Sequence, residues 1–126
     1  MKKIMISAGG ITLPGELNDT PTAEKIGETL PLQGIAATWG DEIYFEIPVD
    51  IEQDPEARAD VEVGTLGYWP PGHAFCIFFG RTPASTGERP RAAGPVNIVG
   101  KVIGDATRFR TVQSGAIVHL EHFNNS

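Results

Sequence analysis

Apolar positions alternate with others at the start of the chain, Ile4 and Ile6 on one side and Lys3 and Met5 on the other. Gly9-Gly10 interrupts the run and Ile11-Thr12-Leu13 resumes it, which predicts two short strands joined by a tight Gly-Gly turn. The period then changes. Thr20 is a good N-cap, Pro21 suits a first helical position, and Ala23, Ile26, Gly27 and Leu30 recur at helical spacing. Pro31 ends that helix. Strand-like stretches follow over Gly34–Trp39 and Glu42–Ile47, separated by Gly40-Asp41 and closed by Pro48. The charged segment Glu52–Asp60, with Pro55 inside it, reads as a short surface helix or a loop. Phe75–Phe79 is apolar throughout, as expected of a strand covered on both faces. Asn97–Ile103 predicts another strand, Asp105 caps one helical turn through Arg110, and Ala116–Phe123 predicts the last strand.

Composition sharpens this picture. Fifteen Gly and ten Pro in 126 residues impose frequent turns and leave room for few helices. The hydrophobic fraction is 40%, and a chain of this size exposes roughly 6,500 Å² when folded against about 19,600 Å² unfolded. That is enough burial for one core, so residues 1–126 read as a single domain. No apolar run is long enough for a membrane span. Met1-Lys2-Lys3 has the charge of a signal n-region, but the run Ile4–Ala8 is too short for the apolar part of one.

Ten Lys and Arg against sixteen Asp and Glu give a net charge of −6. Without clustered positive charge, nucleic acid is a poor partner. The basic residues of Arg81–Arg91 are spaced by Thr, Pro, Gly and Glu, as in a solvated loop. Cys76 is the single cysteine, which cannot form an internal disulfide and fits a reducing, cytoplasmic location. No Gly-rich phosphate fingerprint and no strand–long-helix alternation is present, which excludes a dinucleotide-binding fold.

Four segments carry a resemblance to a known family: Trp39-Gly40-Asp41-Glu42-Ile43-Tyr44-Phe45, Gly64-Thr65-Leu66-Gly67-Tyr68-Trp69-Pro70-Pro71-Gly72, Cys76-Ile77-Phe78-Phe79-Gly80-Arg81-Thr82-Pro83, and Val96-Asn97-Ile98-Val99-Gly100-Lys101-Val102. Together they resemble the cyclophilin-like family of small, mostly uncharacterised bacterial and archaeal proteins. The resemblance covers nearly the whole chain. It implies a mainly β (α+β) fold, an eight-stranded cyclophilin-like closed β-barrel with one or two short helices capping its ends. Ile77-Phe78-Phe79 is similar to the Gln-Phe-Phe strand of true cyclophilins, and Val99-Gly100-Lys101-Val102 to their Phe-Gly-Lys-Val segment. The catalytic arginine of the prolyl isomerases has no counterpart, because Ala36-Ala37-Thr38 occupies the corresponding stretch. Prolyl isomerisation faces a barrier of about 20 kcal/mol, and a ~10⁵-fold gain needs about 7 kcal/mol of transition-state preference. A pocket without that arginine is expected to hold a ligand better than it isomerises one.

The candidate groove residues are Trp39, Glu42, Tyr44, Trp69, Phe79 and Arg81. Phe79 matches the residue lining the proline pocket of cyclophilins. Ile77 and Phe79 share one strand face, Cys76 and Phe78 the other, and an all-core role for the four remains open. Trp39, Tyr44, Tyr68 and Trp69 combine apolar bodies with polar tips, suited either to a pocket mouth or to plugging a barrel end. Asp41 and Glu42 point oppositely, so Glu42, sharing a face with Tyr44, is the carboxylate expected in the groove. Arg81 follows the central strand and is placed to reach a polar ligand group. One of the X-Pro bonds of Trp69-Pro70-Pro71 is a candidate for cis. The stretch Ala84–Pro95 reads as either a lid or solvent-exposed slack.

His119 and His122 face opposite ways on a strand, and with His73 they make no metal site. Cys76 opens a buried strand where a thiol is inert, and no Gly-x-Ser-x-Gly elbow is present. No metal and no cofactor is expected. The expected function is a binding module whose groove holds a small molecule or a short peptide. A weak peptidyl-prolyl isomerase is the alternative. A partner subunit of an amide-bond hydrolase system is a third, since related domains occur in such systems. A homodimer through one sheet face is compatible with the composition.

Overall fold

The computed structural model describes residues 1–123, with an accessible surface of 6490 Å². The opening hairpin pairs β1 (Lys2–Ala8) with β2 (Ile11–Leu17), register Ala8 to Ile11. Gly9 and Gly10 make the turn at φ +54° and +84°, the two positive values that the favoured two-residue hairpin turn demands. Helix α1 (Pro21–Thr29) begins where the Thr20 hydroxyl accepts the Ala23 N–H at 3.3 Å. A nine-residue helix is too short to stand alone in water. Its stability comes from the fully buried Ile26 and from Ala23 beside it.

The remaining strands are β3 (Leu32–Ile35), β4 (Ala37–Thr38), β5 (Glu42–Glu46), β6 (Arg58–Asp60), β7 (Thr65–Trp69), β8 (Ala74–Phe78), β9 (Arg91–Val102) and β10 (Ile117–His122). Single 3₁₀ segments occupy Pro70–Gly72 and Ala106–Thr111, the second capped by Asp105, whose carboxylate accepts the Thr107 N–H at 3.0 Å. The fold is mainly β, with few helices. All pairings are antiparallel, in the order β3-β10-β1-β2-β9-β7-β8-β5-β4, with β6 on β9.

Hydrogen bonds do not close the sheet into the expected eight-stranded barrel. Ten strands are present among the described residues, and β3 and β4 are the two ends of the ladder, with no hydrogen bonds between them. Only Ala36 separates these ends along the chain, and its N–H donates to the Ala116 carbonyl at 2.8 Å. One extended segment therefore leaves β10 and joins β5 within a residue.

Of the two readings of Glu52–Asp60, the loop is the one that forms, and it ends in β6. Two further expectations are corrected. Ala84–Pro95 is not one long loop, because Arg91–Pro95 belongs to β9. The register against β6 shifts between Arg58 and Asp60, opposite residues 91 to 96. Such an irregularity tolerates Pro95, which has no N–H to offer a ladder. The cis bond among the described residues lies at Leu30–Pro31, outside Trp69-Pro70-Pro71.

Side chains of β8 are buried on both faces and divide the interior in two. Phe75 and Ile77 point into the main core with Ile4, Ile6, Leu66 and Val99. Ala74, Cys76 and Phe78 point the other way, into a smaller cluster with Val61, Ala92 and Val96. Asn97, fully buried, ties the surrounding loops to β9. Its amide donates to Thr22 Oγ1 at 3.1 Å and to the Glu52 carbonyl at 3.0 Å, and its oxygen accepts the Asp54 N–H at 2.7 Å.

The crossing of β2 and β9 is closest at Gly100, where a Cβ would overlap the Glu16 carbonyl oxygen. Backbone cannot yield as a side-chain end can. Gly100→Ala is expected to cost about 1–3 kcal/mol in urea denaturation. Gly87→Ala, where a Cβ meets nothing within 4 Å, is expected to stay within about 0.5 kcal/mol.

Candidate functional site

The smaller apolar cluster is incompletely covered, and a cleft of about 230 Å³ opens over it. Its walls are Trp39, Glu42, Tyr44, Trp69, Cys76, Ala92, Ala93 and Val96. The volume is below the usual range of about 300–1,000 Å³ for a whole ligand, so it suits one ring or one side-chain-sized group. A second depression of about 290 Å³ lies next to it, and Tyr44 and Trp69 belong to both. Its remaining walls include Ile35, Ala37 and Gly72.

Strand alternation sets the cleft wall on β5. Glu42 and Tyr44 share the outward face while Ile43 and Phe45 enter the core. Trp39 is held beside them because its N–H donates to the Glu42 carbonyl at 3.0 Å across the turn. Gly40 makes that turn possible. It has φ +61°, and a Cβ there would lie 2.9 Å from the Arg81 carbonyl oxygen. On β7, Trp69 lies over Gly72, where a Cβ would approach its ring to 2.8 Å, and its indole nitrogen faces Gly94. Gly67 supplies the floor by having no side chain, so that Val96 and Phe78 come together over it.

Four of the six residues expected in the groove are thus brought together: Trp39, Glu42, Tyr44 and Trp69. Phe79 is not among them. It is 2% exposed in the main core and packs on Phe109, ring centroids 6.3 Å apart. Alternation through β8 explains this, since Cys76 faces the cleft and the residue three further on faces away. Arg81 is also absent from the walls and is exposed. Its backbone has the structural role, with the Arg81 carbonyl accepting the Asp41 N–H at 2.8 Å. Asp41 points away from the cleft, as expected, and accepts Arg110 Nε at 3.2 Å. Tyr68 is buried, with its hydroxyl donating to the Val49 carbonyl.

Cys76, Ala92, Ala93 and Val96 complete the walls without having been expected there. For Cys76 the signal was available, as its face of β8 is the one opposite Phe79. Ala92 and Ala93 gave none, because Gly94-Pro95 hides the strand they belong to.

Glu42 is the electrostatic feature of the cleft. It is 6% exposed, and among the described residues no Lys, Arg or His pairs with it. Burial raises its carboxyl from the usual 4.5 to about 7, partly offset by the Cys76 thiol beside it. Burial likewise pushes the Cys76 thiol well up, and the neighbouring Glu42 adds to this. The thiol is therefore a poor nucleophile at neutral pH. Among the described residues, no three His, Cys, Asp or Glu side chains gather as metal ligands, and no helix is long and apolar enough to cross a membrane.

A carboxyl that is harder to ionise folded than unfolded makes the protein less stable as pH rises. The unfolded chain loses the Glu42 proton near 4.5 and the folded one near 7, so stability falls across that window and is level above it. At 1.36 kcal/mol per pH unit, the loss is about 3 kcal/mol. Urea denaturation of Glu42→Gln and the parent protein is expected to give similar stabilities near pH 4, with the variant ahead by up to that amount at pH 8. Parallel pH profiles would contradict the assignment.

Comparison with known proteins agrees with this architecture. No curated protein matches the chain. A hypothetical protein from Archaeoglobus fulgidus, known from its solution structure, is similar at 33% identity, with a TM-score of 0.81 over 97% of this chain and 95% of that one. The sequence pattern of the family described as cyclophilin-like matches residues 2–121. With nearly its whole length matched, this chain belongs to the cyclophilin-like family.

Proposed function

We propose that the protein is a binding module whose cleft takes the anchoring group of a small molecule or short peptide. The observation that carries this reading is the buried carboxyl of Glu42, opening into a cleft walled by Trp39, Tyr44 and Trp69. Desolvating a carboxyl without a partner costs stability. A polar ligand group placed against it recovers that cost, while the rings exclude water and add apolar contact. The neighbouring depression beyond Tyr44 and Trp69 gives the rest of the ligand a path across the sheet. Prolyl isomerisation is the weaker reading, since no arginine is among the cleft walls and the barrier requires stabilisation made only in the transition state.

Trp39 and Trp69 are the chain's two tryptophans, and both line the cleft, so their two indole N–H resonances report on it directly. In a fragment screen by ¹H–¹⁵N NMR, binders are expected to shift both resonances. Trp69→Ala, checked for folding by circular dichroism, is expected to weaken the best binder by about tenfold or more. Binders that move other regions and leave both indoles still would overturn the reading. So would unchanged affinity in a folded Trp69→Ala variant.

A further inference from the structure

The walls of the cleft also indicate what kind of anchoring group belongs there. Trp39, Tyr44 and Trp69 come from three separate stretches of chain. Their rings are not stacked on one another: the aromatic pairs among the described residues are Phe45 with Phe75 and Phe79 with Phe109. Nor does a protein cation occupy their faces. Among the described residues, the one such contact is Lys3, whose Nζ lies 5.6 Å from the Phe123 ring centroid. The three rings and the Glu42 carboxyl therefore line one small space, with no Lys, Arg or His among its lining residues.

We propose that the anchoring group is a compact organic cation, an alkylated ammonium, held by the three ring faces and by the Glu42 carboxylate. This rests on the binding reading above and narrows it. Aromatic faces carry negative potential and attract cations, most strongly where water is excluded. A carboxylate in the same space supplies the opposite charge at short range. Alkylation matters because a bare ammonium is strongly hydrated, whereas methyl groups spread the charge and fill an apolar cleft. The protein's net charge of −6 favours approach of such a ligand from solution. A counter-cation also accounts for a carboxyl that is buried with no cationic side chain paired to it among the described residues. The contact would draw Glu42 back towards its ionised form at neutral pH.

The competing occupant is a neutral group that accepts a hydrogen bond from a protonated Glu42. Choline and 3,3-dimethylbutan-1-ol separate the two, since they match in shape and differ in charge. Each is titrated into the protein at pH 8 while the two indole N–H resonances are followed. Choline is expected to bind at least about tenfold more tightly than the alcohol, a margin in the range of desolvated cation–π contacts. In Glu42→Gln that preference is expected to shrink toward one. Equal or tighter binding of the alcohol, with both indoles shifted, would overturn the cation proposal and leave the binding reading standing. If neither compound moves the indoles, the cation proposal also fails. The fragment screen then decides separately whether the cleft binds neutral groups.

Discussion

The burial of β8 on both of its faces is the constraint from which the rest follows. A strand with Phe75 and Ile77 on one side and Cys76 and Phe78 on the other cannot be served by a single core. The main core takes the first set. The second set needs its own cover, which β6 and the first half of β9 supply through Val61, Ala92 and Val96. That cover stops short of the β5 edge. The uncovered margin is the cleft, so the candidate site is the unfinished border of a secondary core.

At that border, apolar packing and charge solvation pull in different directions. Tyr44 and Trp69 pack against the secondary cluster and are only partly buried. Glu42 is more completely enclosed than either, although it carries the one ionisable group that gains least from enclosure. The nearest help is the Cys76 thiol, a weak donor that also reaches the Ala74 carbonyl at 3.8 Å. Proteins tolerate such local conflicts where a ligand resolves them. The Gly40 turn shows how firmly the arrangement is held. It docks on the backbone at Arg81, and the Asp41 carbonyl accepts the Phe79 N–H at 2.9 Å. Trp39 and Glu42 are thus positioned by main-chain contacts rather than by each other's side chains.

Much of the fold is legible in the sequence where its causes are local. The Gly9-Gly10 hairpin, the Thr20 cap with Pro21, the Asp105 cap and the apolar run of β8 each announce themselves within a few residues. The strands that go unread are those whose own residues argue against them. Gly67 interrupts β7 to make room for Val96, and Gly94-Pro95 sits inside β9. The site divides in the same way. Glu42 and Tyr44 share a face by simple alternation, and Trp39 lies one turn away. The side on which Phe79 falls cannot be read from a run that is apolar at every position, because its phase is set by distant partners. Arg81 shows a different gap, since sequence advertises its side chain while the fold uses its carbonyl.

The central claim is that Glu42 is a carboxyl enclosed without a protein cation, and a direct titration tests it. The ¹³C chemical shift of its side-chain carboxyl is followed by NMR from pH 3 to pH 9 in the unliganded protein. A midpoint near 7 is the result this structure predicts. A midpoint near the ordinary 4.5 would mean that the carboxyl is solvated or paired, and would contradict the account of the cleft.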